Sequence, residues 1–172
     1  MSVDGAGTSL GQVPIHGSFA VERDLAAPPA PVFSAYADVS LRRRWFRIPG
    51  SPADAHHSLD FRVGGSEVSR GVFAPLGDLG PEERIAYRSV FWDLVPASRL
   101  VFGYELVLND VRRWVSLVTV ELSAQASGTR LRHSEQYVFL AYADDGAHDV
   151  AHLKGSTQLQ LNGLAAALDA TG

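Results

Sequence analysis

Hydrophobic and polar positions along this chain change period twice. From His16 to Leu25, Phe19, Val21 and Leu25 are interleaved with Ser18, Glu22 and Asp24, the two-residue period of a half-buried strand. Ala27-Pro28-Pro29 breaks it, and Pro29 or Pro31 suits the first turn of a helix whose inner face is Val32, Phe33, Tyr36 and Ala37. Asp38 is placed to cap a second short helix running to Trp45 and Phe46, ended by Pro49, Gly50 and Pro52. Alternation then returns. Leu59, Phe61 and Val63 predict a strand, Gly64-Gly65 a turn, and Glu67–Phe73 the return strand. After a Gly- and Pro-rich loop over 74–83, strands are predicted at Arg84–Val95, Arg99–Leu108, Val115–Ser123 and Thr129–Phe139. Their connections are short, which requires antiparallel neighbours. The last segment, Asp145–Asp169, switches to helical period: Val150, Leu153, Thr157, Leu161, Leu164 and Leu168 fall on one face.

That order is one strand, two short helices, six strands and one long helix. An apolar stripe so wide must be buried, and the strands supply the only large surface for it. The pattern therefore predicts an α+β architecture, a sheet gripping its C-terminal helix with a cleft between them.

Bulk composition adds mainly exclusions. The 172 residues fit a single domain, placed at 16–172 behind a flexible leader at 1–15. Hydrophobic residues at 46% and charged residues at 20% are ordinary for a folded protein, which argues against general disorder. A formal net charge of −4 argues against a nucleic-acid surface. The chain has no cysteine, which removes disulfides, thiolate catalysis and cysteine-ligated zinc, and fits a cytoplasmic location. Met1–Gly11 lacks the basic and apolar regions of a secretion signal, and no apolar run approaches the roughly 20 residues a membrane span needs.

The local text carries a resemblance. FAVERDLAAPPAPVFSAYAD, RRRWF, LDFRVGG, DLVPASRLVFGYEL, VSLVTVEL, GTRLRHSEQ and the closing helix occur in that order, covering nearly everything from Phe19 to Leu168. Together they resemble the START-like (SRPBCC) superfamily, in its bacterial branch named after the activator of the heat-shock-protein-90 ATPase. The resemblance implies a helix-grip fold, with a seven-stranded antiparallel sheet wrapped around the long C-terminal helix and an internal cavity for an apolar ligand. Because the superfamily includes carriers, receptors and ring cyclases, it implies shape more than chemistry.

Candidate chemistry centres on the last strand. If Leu131 faces the helix, His133, Glu135, Tyr137 and Phe139 share its face, while Arg130, Arg132, Ser134 and Gln136 face solvent. A buried His133 and Glu135 can hydrogen-bond a ligand, move a proton, or simply satisfy each other. Phe61, Tyr87, Phe91, Phe102, Tyr104 and Trp114 lie on strands, with Trp45 at one end, as walls of a cavity or as plain core. Trp92 is expected on the outer face, where an indole would suit a homodimer contact. His148 and His152 share a helix face but lack a HExxH frame and a third ligand, so no metal or cofactor is assigned. His56-His57 are expected in a loop, and Arg42-Arg43-Arg44 on a solvated face.

Three functions follow as expectations. The first is a cavity-bearing protein that binds a small apolar or amphipathic molecule, with few charges inside and neither nucleic acid nor membrane as partner. The second is a cyclase- or hydrolase-type enzyme using Glu135 or His133, although no GxSxG or other catalytic frame is present. The third is a chaperone-ATPase-activator-like interaction module, as the family name suggests.

Overall fold

The structure, a computed structural model, describes residues 12–49 and 55–170. Met1–Gly11 of the leader placed at 1–15, and the break at Gly50 and Pro52, lie outside the described residues, while the first described strand already opens at Ile15. In chain order come β1 (Ile15–Leu25), α1 (Pro29–Ala37), α2 (Val39–Trp45), β2 (His56–Leu59), β3 (Ser66–Phe73), a 3-10 turn at Gly77–Leu79, β4 (Glu83–Val95), β5 (Arg99–Leu108), β6 (Val111–Gln125), β7 (Gly128–Phe139) and α3 (Ala147–Asp169). The strands form one seven-stranded antiparallel sheet in the order β1-β7-β6-β5-β4-β3-β2.

Local chemistry explains the boundaries. Pro29 opens α1, where a missing N–H costs nothing. The Asp38 carboxylate accepts from Leu41 N at 2.8 Å and caps α2. At the β6–β7 turn Gly128 sits at φ +138°, and a Cβ there would collide with the backbone of Leu25 and Ala26. Gly128→Ala is therefore expected to cost about 1–3 kcal/mol through backbone strain alone, readable as a lowered urea midpoint.

The α3 stripe packs on the inner face of the sheet. Leu161, Leu164 and Leu168 join Val21, Leu100, Val118, Val120 and Leu131 in the main core, with α1 and α2 contributing Val32, Tyr36, Trp45 and Phe46. A second cluster holds Tyr137, Phe139 and Leu153. Val150 is only half-buried, and α3 begins at Ala147, two residues later than its pattern suggests, because Gly146 takes a left-handed conformation at the N-cap.

Three local readings are corrected. The alternation through Leu59, Phe61 and Val63 is not one strand: β2 ends at Leu59, and 60–65 turn tightly, with Arg62 accepting from Gly65 N at 2.8 Å. His56 and His57 are not in a loop but open β2, paired with Arg70 and Ser69. In α1 the buried position is Ala35, while Ala37 is half-buried.

Candidate functional site

The alternation of β7 is the geometric origin of the site. Leu131, His133, Glu135, Tyr137 and Phe139 are all buried on the helix side, while Arg130, Arg132 and Gln136 are exposed. Strand β6 places Trp114 and Ser116 on the same face, and β5 adds Phe102, Tyr104 and Leu106. Between this surface and α2 and α3 lies a cavity of about 460 Å³, within the size range of small-molecule sites.

Of the ten residues singled out from the sequence as ligand contacts, Trp45, Tyr87, Phe102, Tyr104, Trp114, His133 and Glu135 line it. Phe61, Phe91 and Tyr137 do not. Phe61 sits in the 60–65 turn and packs edge-on against Phe33 and Phe91, at 5.5 and 5.0 Å between ring centroids. Phe91 bridges Phe61 and Phe102 in the core. Tyr137 belongs to the second cluster, against Phe139 and Phe19. The cavity also takes Tyr36, Phe46 and Ile48 from the α1–α2 region and Leu153, Ser156, Thr157 and Gln160 from α3. Arg47, His152 and Leu159 are exposed and mark its mouth.

One polar chain is set into this aromatic wall. The Trp114 indole donates to the Tyr104 hydroxyl at 3.2 Å, and Tyr104 donates to Glu135 Oε1 at 2.6 Å. His133 Nε2 lies 3.1 Å from Glu135 Oε2. Burial, and then the Glu135 charge beside it, hold the Tyr104 phenol well above its ordinary range, so it stays protonated and remains a donor. The two oxygens of Glu135 are thus engaged, and its carboxylate is aimed at the cavity from a fully buried position.

A second buried charge cluster adjoins the first and was not legible as such. Arg42 is buried rather than solvated, and its Nε and Nη2 each donate to an oxygen of Glu67 at 2.8 Å. Its guanidinium lies 4.2 and 3.9 Å from the ring centroids of Trp45 and Phe46, a stacked, paired geometry that suits arginine. His57 completes it: Arg43 donates to Nδ1 at 3.3 Å, so Nε2 carries the proton and donates to Glu67 at 2.8 Å. Burial would raise the Glu67 carboxyl, but the Arg42 charge and the hydrogen bonds from His57 and Arg42 outweigh it and hold that carboxyl below its ordinary value. The expectation of few charges inside is therefore corrected: Arg42, Glu67 and Glu135 are all internal. The available signal was the spacing of Arg42 to Trp45 and Phe46, which puts one arginine of the triplet on the aromatic side of α2.

Elsewhere, Asp149 accepts from Arg113 at 2.7 Å and from Ala143 N at 3.0 Å, which ties the start of α3 to β6. No group of three His, Cys, Asp or Glu stands together to hold a metal ion among the described residues. No helix among them is long and apolar enough to cross a membrane. A larger, open depression of about 960 Å³ on the other face of the sheet is lined by such residues as Ser134, Gln136 and Leu117. Trp92 is exposed on that face, its indole lying over Gly103, where a Cβ would come 3.1 Å from Nε1.

A curved antiparallel sheet closed by a terminal helix over an aromatic cavity defines a START-like, helix-grip protein. The chain belongs to the family described as Activator of Hsp90 ATPase homolog 1-like protein, whose model matches residues 26–169. Among solved structures it is similar to an uncharacterized protein from Rhizobium leguminosarum, 34% identical over 91% of this chain and 97% of that one, with a TM-score of 0.76. A Rhizobium loti protein is 40% identical over 91% of this chain and 99% of that one, with a TM-score of 0.73. A Staphylococcus aureus protein of unknown function shares the fold at 13% identity and a TM-score of 0.67, covering 92% of this chain and 96% of that one. No curated protein matches the chain significantly.

Proposed function

We propose that this protein binds a small amphipathic molecule in the cavity between the sheet and α3. One observation carries the reading: an aromatic-walled cavity of about 460 Å³ with a hydrogen-bonded polar chain, Trp114–Tyr104–Glu135–His133, set in its wall. Apolar walls supply affinity by removing ligand surface from water, and a few fixed polar groups orient the guest. The buried Arg42–Glu67–His57 cluster ties α2, which forms one wall, to β2 and β3.

The test is a panel of lipids and polyketides screened by thermal shift, with retained mass read by native mass spectrometry. At a concentration about 100 times Kd, a ligand specific for the folded state adds about 2.7 kcal/mol, which gives a clear rise in Tm. Replacing a wall aromatic, as in Phe102→Ala, is expected to weaken every hit in common. A panel in which no compound raises Tm or survives as a complex overturns the proposal.

A further inference from the structure

The cavity is chemically one-sided, and an inference about its guest, resting on the binding proposed above, follows from that. Its buried arginine is already paired: Arg42 donates from Nε and Nη2 to the Glu67 carboxylate. Glu135 is not saturated. A carboxylate offers about four lone-pair sites, and Tyr104 and His133 take one on each oxygen. On the cavity lining from α1, the Tyr36 hydroxyl is buried with no hydrogen-bond partner, and burial keeps it a neutral phenol. Of the other basic side chains on the lining, Arg47 and His152 are exposed at the mouth, and His133 is buried with Nε2 3.1 Å from Glu135 Oε2.

A polar group entering this cavity therefore meets acceptor capacity at Glu135 and, among the described residues, no interior arginine or lysine that lacks a carboxylate partner. A carboxylate driven inward would face Glu135 as a like charge in a low-dielectric setting, where repulsion is strong. A hydroxyl would donate to Glu135 and relieve, rather than add to, the buried negative charge. We infer that the cavity selects a neutral guest with a hydroxyl at its inner end, an alcohol or a phenol, and that any acid group on the guest stays at the mouth beside Arg47.

Three matched probes separate these terms: naphthalene, 2-naphthol and 2-naphthoate, titrated into the full chain by calorimetry at neutral pH. In the wild type, 2-naphthol should bind roughly tenfold tighter than naphthalene, as a charge-assisted hydrogen bond implies. Glu135→Gln should narrow that ratio toward unity. Tyr104→Phe, which frees an oxygen of Glu135, should keep or widen it, so the proposal survives a failure of the first variant to fold. For 2-naphthoate, Arg47→Ala should weaken binding while Glu135→Gln leaves it unchanged or improves it. Equal binding of naphthol and naphthalene, or a naphthol preference untouched by Glu135→Gln, overturns the inference and leaves the binding cavity standing. Naphthoate indifferent to Arg47→Ala overturns the placement of acids at the mouth. Failure of all three probes together with the whole lipid and polyketide panel overturns the binding reading itself.

Discussion

Arg42→Met is expected to lower stability by about 3–5 kcal/mol, since removing one member of a buried ion pair strands the other. Glu67 is about 1% exposed and, among the described residues, would keep His57 as its side-chain partner. The methionine would retain the packing against Trp45 and Phe46, so the loss reports the charge and its hydrogen bonds rather than a cavity. A double variant, Arg42→Met with Glu67→Leu, should recover much of the loss, because replacing a whole buried pair by apolar groups is often neutral. The pH dependence has a definite sign. Glu67 is held below its unfolded value in the native protein, so its contribution is fully present above the unfolded carboxyl pKa and is lost as pH falls through the lowered native one. Without Arg42, burial is no longer outweighed and Glu67 takes up a proton at higher pH. The deficit of the variant should therefore be largest near neutral pH and shrink toward acid. Urea denaturation of both proteins between neutral and acid pH measures it, and a deficit that is flat with pH would refute the account.

Leu164→Ala is expected to cost about 2–5 kcal/mol, the range for a buried leucine truncated in a core that collapses only partly. Leu164 is fully buried between Leu161 and Leu168 on the stripe that meets the sheet. Leu159 on the same helix is 72% exposed, and Leu159→Ala should stay within about 0.5 kcal/mol of the wild type. Guanidinium denaturation of the two variants side by side tests which face of α3 is clasped. Similar losses in both would mean the stripe has been placed wrongly.

The gap between those two leucines was legible in the sequence because helical period alone separates Leu164 from Leu159. Two-residue period on β7 did the same for His133 and Glu135 against Ser134 and Gln136. Periodicity failed where geometry is set by tertiary contact. Phe61 and Val63 keep a strand's alternation, yet the hydrogen bonds of Gly64 and Gly65 to Phe91 fold them into a turn. The sorting of aromatics into cavity wall and solid core depended on sheet curvature and on where α2 lands, which no spacing encodes. The fate of Arg42 was hidden for a similar reason. A run of three arginines reads as solvated until Glu67, distant in sequence, is found opposite one of them.

The sheet order has a kinetic consequence. Among the described residues β1 is the first strand, at the edge of the sheet, and it pairs with β7, from Ile15 against Phe139 to Leu25 against Thr129. During synthesis β1 must wait for β7 to leave the ribosome, while β2 to β6 can zip successively as hairpins. Closure of the loop between β1 and β7 carries the largest chain-entropy cost of the strand pairings in this sheet. An exposed β-edge in the nascent chain is thus the interval in which this protein is most open to chaperone capture or to mispairing with a neighbouring copy.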